Sequence, residues 1–270
     1  MGTNGTNHQR NLKKTIGVNP RKAYPAAVIR CEEMLEQRPV FKVDQYNWGG
    51  EYRPAVYGQL AILRNQAFFL RMTCEEKPPV CVTTSRGGPV WEDSAMEFFL
   101  QMPPLSLMHA IRRTASAADA AADMLHETEW ESSTAGKISA AEAMAGKPLN
   151  LQQPYINLEV NAAGILHAGV GANKSSRRLL PEELYRVIRC RVDPAEESWT
   201  MSLMVPFAVT DHVYDYKTEE ILRMQPYFFC NFYKISEKQP PVHFGSFTEI
   251  RTPAPDFHQP AFFAVAEIRS

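Results

Sequence analysis

Two segments with strand-like alternation constrain the fold of this chain more than any other feature. In residues 90–102, VWEDSAMEFFLQM, the side chains become apolar on both faces toward the end, which is typical of a strand covered on both sides. In Tyr155–Asn161, YINLEVN, apolar and polar residues alternate, so we expect a half-buried antiparallel strand with a polar outer face. Side by side, these strands would present an aromatic residue, carboxylates and carboxamides together.

Other short segments of strand-like composition succeed one another along the chain. Two apolar runs, 56–63 and 67–74, are joined by the short polar connection Arg64-Asn65-Gln66, as in a β-hairpin. The sequence therefore predicts an all-β fold, an antiparallel β-sandwich made of short strands and turns. Further strands are predicted at 39–46, 165–171, 198–207, 226–235 and 260–268.

The composition changes between residues 104 and 148, where alanine is abundant and β-branched residues are few. This composition favours helix, so we expect an alanine-rich helical insertion over about 104–148, with a mobile low-complexity loop as the alternative. Short helices are also expected at 26–37 and 213–222. The polar segment 1–22 is predicted to be a flexible tail, and 23–270 a single domain that carries the insertion.

The charge balance argues against several classes of partner. The 270 residues include 29 basic and 30 acidic side chains, which predicts no general attraction to nucleic acid or to an anionic membrane. No stretch approaches the ~20 apolar residues of a membrane span, and no apolar run comes after the basic residues near the N-terminus. The five cysteines are scattered and odd in number, so we expect them to be reduced and the protein to be cytoplasmic.

Several of these strands together resemble the family 9 carbohydrate-binding modules, and most closely their stand-alone family 9-like relatives. The resemblance extends from about residue 40 to residue 268, without the tail and the insertion. Its most specific part is PDFHQPAFF, residues 255–263. The segments that carry it are VWEDSAMEFFL, YINLEVNAAG, SWTMSLMVPF, PYFFCNFYKI and HFGSFTEIRTPAPDFHQPAFFAVAEI.

The resemblance implies an immunoglobulin-like β-sandwich that binds a mono- or oligosaccharide, in the manner of the xylan- and cellulose-related modules associated with glycoside hydrolases, and does not itself catalyse a reaction. Such modules clamp the ligand between two tryptophans, with carboxylate, amide and arginine groups on the hydroxyls. Trp91 and Glu97 resemble the first tryptophan and its carboxylate. The second tryptophan would fall near Phe247, which weakens the clamp. Family 9 modules can also hold structural calcium, but no D-x-D-x-D run supports it here, so we expect no cofactor.

These residue types suit a sugar because an aromatic ring covers the apolar face of a pyranose and planar polar groups bind its hydroxyls. The alternative is structural: Trp91 would pack at the rim on the insertion, and the acids would pair with arginines. In one straight strand Trp91 and Glu97 would lie ~20 Å apart, so a shared ligand requires a bend near Asp93-Ser94. The predicted ligand-binding residues are Trp91, Glu97, Asn157, Glu159, Asn161, Arg177 (or Arg178) and Phe247.

Neither a metal site nor a catalytic site is predicted. His243 and His258 lack the spacing of metal ligands, and we expect His258 to fix a corner of the last loop, with Asp256 capping the same turn. Glu97 and Glu159 form the one carboxylate pair considered for glycoside hydrolysis, and nothing in the sequence indicates that either has a raised pKa.

Two other functions remain open at this point. Sandwiches of the same superfamily resemble haem-b binders, and Met201 or Met204 could act as an axial ligand. The insertion over 104–148 could instead dock a partner or a second copy of the chain, as in a homo-oligomer.

Overall fold

The computed structural model describes residues 21–104 and 153–269. The predicted insertion, the oligomer contact suggested for it, and residues 1–20 of the predicted tail lie outside the described residues. Strands dominate the described part, which confirms the mostly β prediction. The strands are β1 (Ala23–Ile29), β2 (Phe41–Val43), β3 (Gln45–Gly49), β4 (Ala55–Leu63), β5 (Ala67–Glu75), β6 (Ala95–Gln101), β7 (Tyr155–Asn161), β8 (Leu166–Gly171), β9 (Arg178–Leu179), β10 (Arg189–Pro194), β11 (Trp199–Pro206), β12 (Tyr227–Ser236), β13 (His243–Ser246) and β14 (Ala264–Arg269).

The helices of the described part are short. One helix was expected at 213–222, and two are found there, because the chain turns at Asp215 in the left-handed conformation. No helix within residues 21–104 and 153–269 is long and apolar enough to cross a membrane. The α-helices are α1 (Glu182–Val187), α2 (Phe207–Tyr214) and α3 (Thr218–Met224), and the 3₁₀ helices are Glu32–Gln37, Val90–Glu92, Lys174–Ser176 and Pro260–Phe262.

The strands form one curled mixed sheet in the order β10-β11-β5-β4-β1-β14-β12-β6-β7-β8-β9. In addition, β2 pairs with β4, and β13 pairs with β12 and β3. The apolar side chains of the two halves meet in one core: the rings of Phe68 and Phe228 are 5.0 Å apart, and those of Phe41 and Phe232 stack at 3.6 Å. The core therefore lies inside the curl, and the outer face of β12, β6 and β7 points away from it.

Strand β1 joins the two halves and corrects two predictions. It pairs in parallel with both β14 and β4, so the sheet is not antiparallel throughout. It also occupies part of the segment 26–37 for which a helix was expected. The reason is tertiary: β1 is buried between two partner strands, and the Tyr24 hydroxyl accepts a hydrogen bond from the backbone N–H of Leu60 at 2.9 Å.

The segment 90–102 is not one straight strand. A turn of 3₁₀ helix, Val90–Glu92, precedes β6, and the chain changes direction at Asp93. The buried Asp93 carboxylate fixes this bend, because it accepts hydrogen bonds from the backbone of Val82 and Thr83, each at 2.9 Å, and from Asn161 Nδ2 at 3.0 Å. Trp91 is thereby turned out of the line of β6.

The outer face of β7 is covered. All seven residues of Tyr155–Asn161 are buried, so the predicted polar, solvent-facing side is wrong. Phe257 and Phe263 pack over this face of the sheet, in a second apolar cluster with Tyr155 and Tyr233. The segment that precedes β14 therefore forms a lid on the sheet, which alternation within β7 could not indicate.

Gly58 on β4 tests how tightly the curled core is packed. An added Cβ would overlap the backbone oxygen of Arg71 and would lie 2.7 Å from Phe41 Cζ and 2.9 Å from Met72 Cγ. We expect Gly58→Ala to lower the free energy of unfolding by about 1–3 kcal/mol in urea denaturation. Gly50→Ala is the matched control, since a Cβ there meets nothing within 4 Å and should change stability by less than about 0.5 kcal/mol. Equal effects of the two substitutions would contradict this packing.

Candidate functional site

The site is built on one row of side chains that crosses four strands. Tyr233 on β12 lies opposite Glu97 on β6, Glu97 opposite Glu159 on β7, and Glu159 opposite His167 on β8. Residues directly opposite each other in an antiparallel pair project from the same face, with Cβ atoms about 4.5–5.5 Å apart. The two carboxylates are therefore neighbours on the outer face of the sheet.

A cavity of about 100 Å³ lies above this row. Both Trp91 and Glu97 line it, because the bend at Asp93 brings the indole back toward the start of β6. The segment 255–258 and the loop between β8 and β9 form other walls. The lining residues are Trp91, Glu97, Glu159, Lys174, Arg177, Ile235, Glu237, Phe244, Pro255, Asp256, Phe257 and His258.

The two glutamates form a buried pair of like charge. Each is only 2% exposed. Burial raises the pKa of Glu97 well above its ordinary value, the neighbouring Glu159 raises it further, and Arg177 opposes both effects. Burial also raises the pKa of Glu159, against the influence of His167, Arg177 and the Asn157 amide. The pair therefore holds a proton to higher pH than ordinary carboxyls do, a property that the sequence pattern did not indicate.

Arg177 is placed beside Glu159 by a capped turn. Asn173 Oδ1 accepts hydrogen bonds from the backbone of Ser175 and Ser176, each at 3.0 Å, and so forms the 3₁₀ turn before Arg177. Arg177 Nη1 then lies 3.5 Å from Glu159 Oε1, with 17% of the Arg177 side chain exposed. Of the two arginines considered, Arg177 lines the cavity, whereas Arg178 is exposed at the start of β9.

The segment that covers the sheet is held in place by polar contacts. Asp256 accepts hydrogen bonds from the backbone N–H of His258 at 3.0 Å and from Gln259 Nε2 at 2.6 Å, which confirms its predicted role as a turn cap. His258 Nδ1 lies 2.9 Å from the Tyr155 hydroxyl, as expected for a residue that fixes a corner. Burial, with the nearby Arg177, lowers the pKa of His258 to about 2, so this ring is neutral at physiological pH.

Phe247, the candidate for the second aromatic clamp, does not line the cavity. It is 4% exposed and packs in the main core against Tyr24, Phe41 and Phe232. Phe244 lines the cavity instead. The reason is strand parity: Phe244 lies opposite Ile235, which faces the cavity, and a residue three positions later points to the other side.

The two asparagines predicted to bind ligand are also buried and do not line the cavity. Asn161 Nδ2 donates to Thr83 O and to Asp93 Oδ2, so its amide stabilises the bend before β6. Asn157 Nδ2 donates to Glu159 Oε1 at 2.8 Å and thereby orients that carboxylate. A Cβ at Gly169 would lie 2.7 Å from Asn157 Oδ1, so glycine makes room for this amide.

Sequence reasoning missed Phe244, Phe257, Lys174 and Glu237 as lining residues. Phe244 could have been found from the alternation of β13, HFGS, had its strand bounds been known. Phe257 belongs to the motif PDFHQPAFF, which predicts no role for it in the site, and in the structure its ring stacks on that of Tyr233 with centroids 4.3 Å apart. Lys174 and Glu237 lie outside the strands, where alternation gives no signal.

A buried polar cluster lies on the opposite side of the same sheet. Lys234 Nζ is 3.1 Å from Glu76 Oε1 and donates hydrogen bonds to Ser94 Oγ and His243 Nε2, each at 2.7 Å. Although burial raises it, Lys234 and the hydrogen bonds from Ser94 and Trp199 bring the pKa of Glu76 to about 2. The cluster joins the end of β5 to β6, β12 and β13. It lies behind the cavity, because its members are the sequence neighbours of Ile235, Ala95 and Phe244, which face the other side of the sheet.

The two methionines considered as haem ligands lie in apolar clusters. Met201 lies in the main core, and Met204 lies in a separate small cluster with Phe69 and Ile29. Within residues 21–104 and 153–269, no group of three or more His, Cys, Asp or Glu side chains could hold a metal ion.

The raised pKa of Glu97 predicts a pH-dependent gain in stability for Glu97→Gln. An acid whose pKa is raised by folding makes the protein less stable as pH rises from the ordinary value of 4.5 through the raised one. We expect Glu97→Gln to raise the free energy of unfolding by about 1 kcal/mol or more at about pH 8, and by much less at about pH 4. Denaturant unfolding at both pH values measures this, with the exposed Glu196→Gln as control. A gain of equal size at both pH values would mean that ionisation of Glu97 is not its cause.

Comparison with known proteins points to one family. Residues 147–268 match the sequence profile of carbohydrate-binding family 9. No curated protein matches the chain significantly. A crystal structure of a proposed carbohydrate-binding protein from Bacteroides uniformis is similar, with a TM-score of 0.60 and 19% identity over 92% of this chain and 99% of that one.

Two structures of a family 9 carbohydrate-binding module from Caldicellulosiruptor kristjanssonii are also similar. The complex with cellotriose gives a TM-score of 0.51 at 7% identity, and the complex with glucose 0.50 at 6% identity. They cover 92% of this chain and 95% and 96% of theirs, respectively. The predicted resemblance is thus confirmed: residues 147–268 match carbohydrate-binding family 9, and the fold is similar to that of a solved family 9 module.

Proposed function

We propose that the chain is a non-catalytic carbohydrate-binding protein, and that it holds one ring of a mono- or oligosaccharide in the cavity between Trp91 and the Glu97–Glu159 pair. One observation carries this proposal. The cavity combines exposed aromatic surface with buried carboxylate oxygens, one of which, Glu159 Oε2, has no hydrogen-bond partner. A hydroxyl-rich ligand supplies the donors that such oxygens lack.

The aromatic part of the site suits the apolar face of a pyranose. Trp91 is half-buried and lies edge-on to His167, with ring centroids 5.1 Å apart, so the imidazole limits the positions open to the indole. Phe244, also half-buried, takes the role that the resemblance gave to a second tryptophan near Phe247. A tryptophan and a phenylalanine offer less aromatic area than two tryptophans, so we expect modest affinity.

The polar part suits the hydroxyls. A protonated carboxyl donates one hydrogen bond and accepts others, whereas an ionised one only accepts, so the Glu97–Glu159 pair can satisfy a hydroxyl in either sense. Arg177 and Lys174 add donors at the edge of the cavity. Asn157 contributes indirectly, because its amide orients the carboxylate of Glu159.

The size of the cavity favours a single ring. One water takes ~30 Å³ of the liquid, so about 100 Å³ corresponds to roughly three waters, which leaves room for no more than one sugar ring. The Caldicellulosiruptor module was solved with glucose and with cellotriose, which supports a ligand of this class.

The arrangement of the two carboxyls supports binding rather than hydrolysis. Glycosidases place their carboxyls on either side of the bond to be cleaved. Glu97 and Glu159 instead lie side by side on adjacent strands at the base of the cavity, so both approach a ligand from one side.

We also propose that the two halves of the curled sheet correspond to the two layers of an immunoglobulin-like sandwich, because one core fills the space between them.

Aromatic substitutions test the proposed function by isothermal titration calorimetry with glucose and cellotriose. We expect Trp91→Ala and Phe244→Ala each to weaken binding by about tenfold, or about 1.4 kcal/mol, because each removes a surface that contacts the ring. The matched control is Tyr57→Ala, an exposed aromatic on β4 that is not part of the cavity. Absence of measurable heat for wild type with either sugar would refute the proposal, as would equal weakening by Tyr57→Ala.

A further inference from the structure

We propose that the cavity selects an amino sugar with a free ammonium group over the neutral sugar of the same shape, and that it discriminates against sugar acids. The inference rests on the proposed function and names the substrate class of the same site.

The first observation is the charge of the cavity. Four carboxyl groups and two basic groups line it, and His258 is neutral. The walls therefore carry net negative charge, even when the central pair holds one proton. A cation is attracted to such a cavity, and a carboxylate on the ligand is repelled. The acidic members are Glu97, Glu159, Glu237 and Asp256, and the basic members are Lys174 and Arg177.

The second observation is the shortage of hydrogen-bond donors to the pair. Glu159 Oε1 accepts from Asn157 Nδ2 at 2.8 Å and lies 3.5 Å from Arg177 Nη1, whereas Glu159 Oε2 has no partner. No hydrogen-bond donor to Glu97 is found among the described residues. Arg177 thus neutralises one oxygen of the pair, and the pair as a whole has fewer hydrogen-bond donors than it can accept.

An ammonium group satisfies this pair better than a hydroxyl does. It carries three N–H donors and a full charge, so it can donate to the neighbouring carboxyl groups of Glu97 and Glu159 at once. A hydroxyl has one donor and no charge. Because the carboxylates are buried, their interaction with a cation is screened much less than it would be at the surface.

The acid pair also predicts that an amino sugar displaces a proton. In the free protein, repulsion between Glu97 and Glu159 favours a state in which one of them is protonated. An ammonium ion between them favours ionisation of both, so the carboxyl O–H bond breaks and its proton passes to the buffer. A neutral sugar supplies no charge to drive this release.

The surrounding charged and titratable groups do not remove this preference. On the strands, Tyr233 lies opposite Glu97, His167 lies opposite Glu159, and Lys234 projects from the other face into the cluster with Glu76. Around the rim, Arg177 and Lys174 act against a cation, whereas Glu237 and Asp256 act for it, and His258 is neutral. The two basic groups are outnumbered by the four acids.

The experiment compares glucosamine, glucose and glucuronate by calorimetry at about pH 6, below the ~8 at which such an amine loses its proton. We expect glucosamine to bind about tenfold more tightly than glucose, a difference of about 1.4 kcal/mol, and glucuronate about tenfold more weakly. Proton release is measured with an indicator dye in weakly buffered solution without amines. It should accompany glucosamine and not glucose.

Substitution of Glu159 shows whether the acid pair causes the preference for glucosamine. With Glu159→Gln, we expect both sugars to bind more weakly and the glucosamine-to-glucose preference to fall to about one. Glu196→Gln, an equal change of charge at an exposed position away from the cavity, should leave the preference at about tenfold.

Failure of the amino-sugar inference and failure of the proposed function give different results. If glucose binds and glucosamine binds no more tightly, or if its preference survives Glu159→Gln, the amino-sugar inference is overturned and the proposed function stands. If no sugar binds the wild-type protein, both are overturned.

Discussion

The placement of Glu97 directly opposite Glu159 is the constraint on which the site depends. The register of β6 and β7 fixes it, and that register is set by the neighbouring pairs, such as Phe98 with Leu158, which fill the core on the other face. A shift of β6 by one residue would turn Glu97 into the core and Phe98 toward the cavity. Packing of the interior thus determines where the polar chemistry of the exterior lies.

Such a pair is unfavourable for folding. Like charges opposite each other destabilise a sheet, and burial adds to the effect. The protein offsets this locally, with Arg177 beside one acid and the Asn157 amide beside the same oxygen. The compensation is incomplete, because one oxygen of Glu159 has no partner. Retention of an unsatisfied group in a cavity is characteristic of binding sites, where stability is given up for affinity.

The sequence was sufficient for those parts of the site that depend on short-range pattern. The alternation in Tyr155–Asn161 located β7. The family resemblance predicted Trp91 and Glu97 as members of one cavity, on the condition that the chain bends near Asp93. Sequence reasoning failed where long-range packing decides. Asn157 is buried by elements remote in sequence, and this is not visible in β7 itself.

Two further predictions failed for separate reasons. Phe247 was assigned to the site from the family resemblance, whereas strand parity turns its ring into the core and turns Phe244 toward the cavity. The helix expected at 26–37 was replaced in part by β1, because pairing with two strands outweighs the helix propensity of a few alanines.

The parallel pairing of β1 with β14 has a consequence for how the molecule assembles. These strands lie about 240 residues apart in the chain, yet β1 also aligns β4, so one half of the sheet cannot be joined to the other until the last strand is available. Contacts of such long range make folding slow. During synthesis on the ribosome, the cavity wall at 255–258 and the strand that completes the sheet emerge almost together, so the cavity and the fold are completed in the same step.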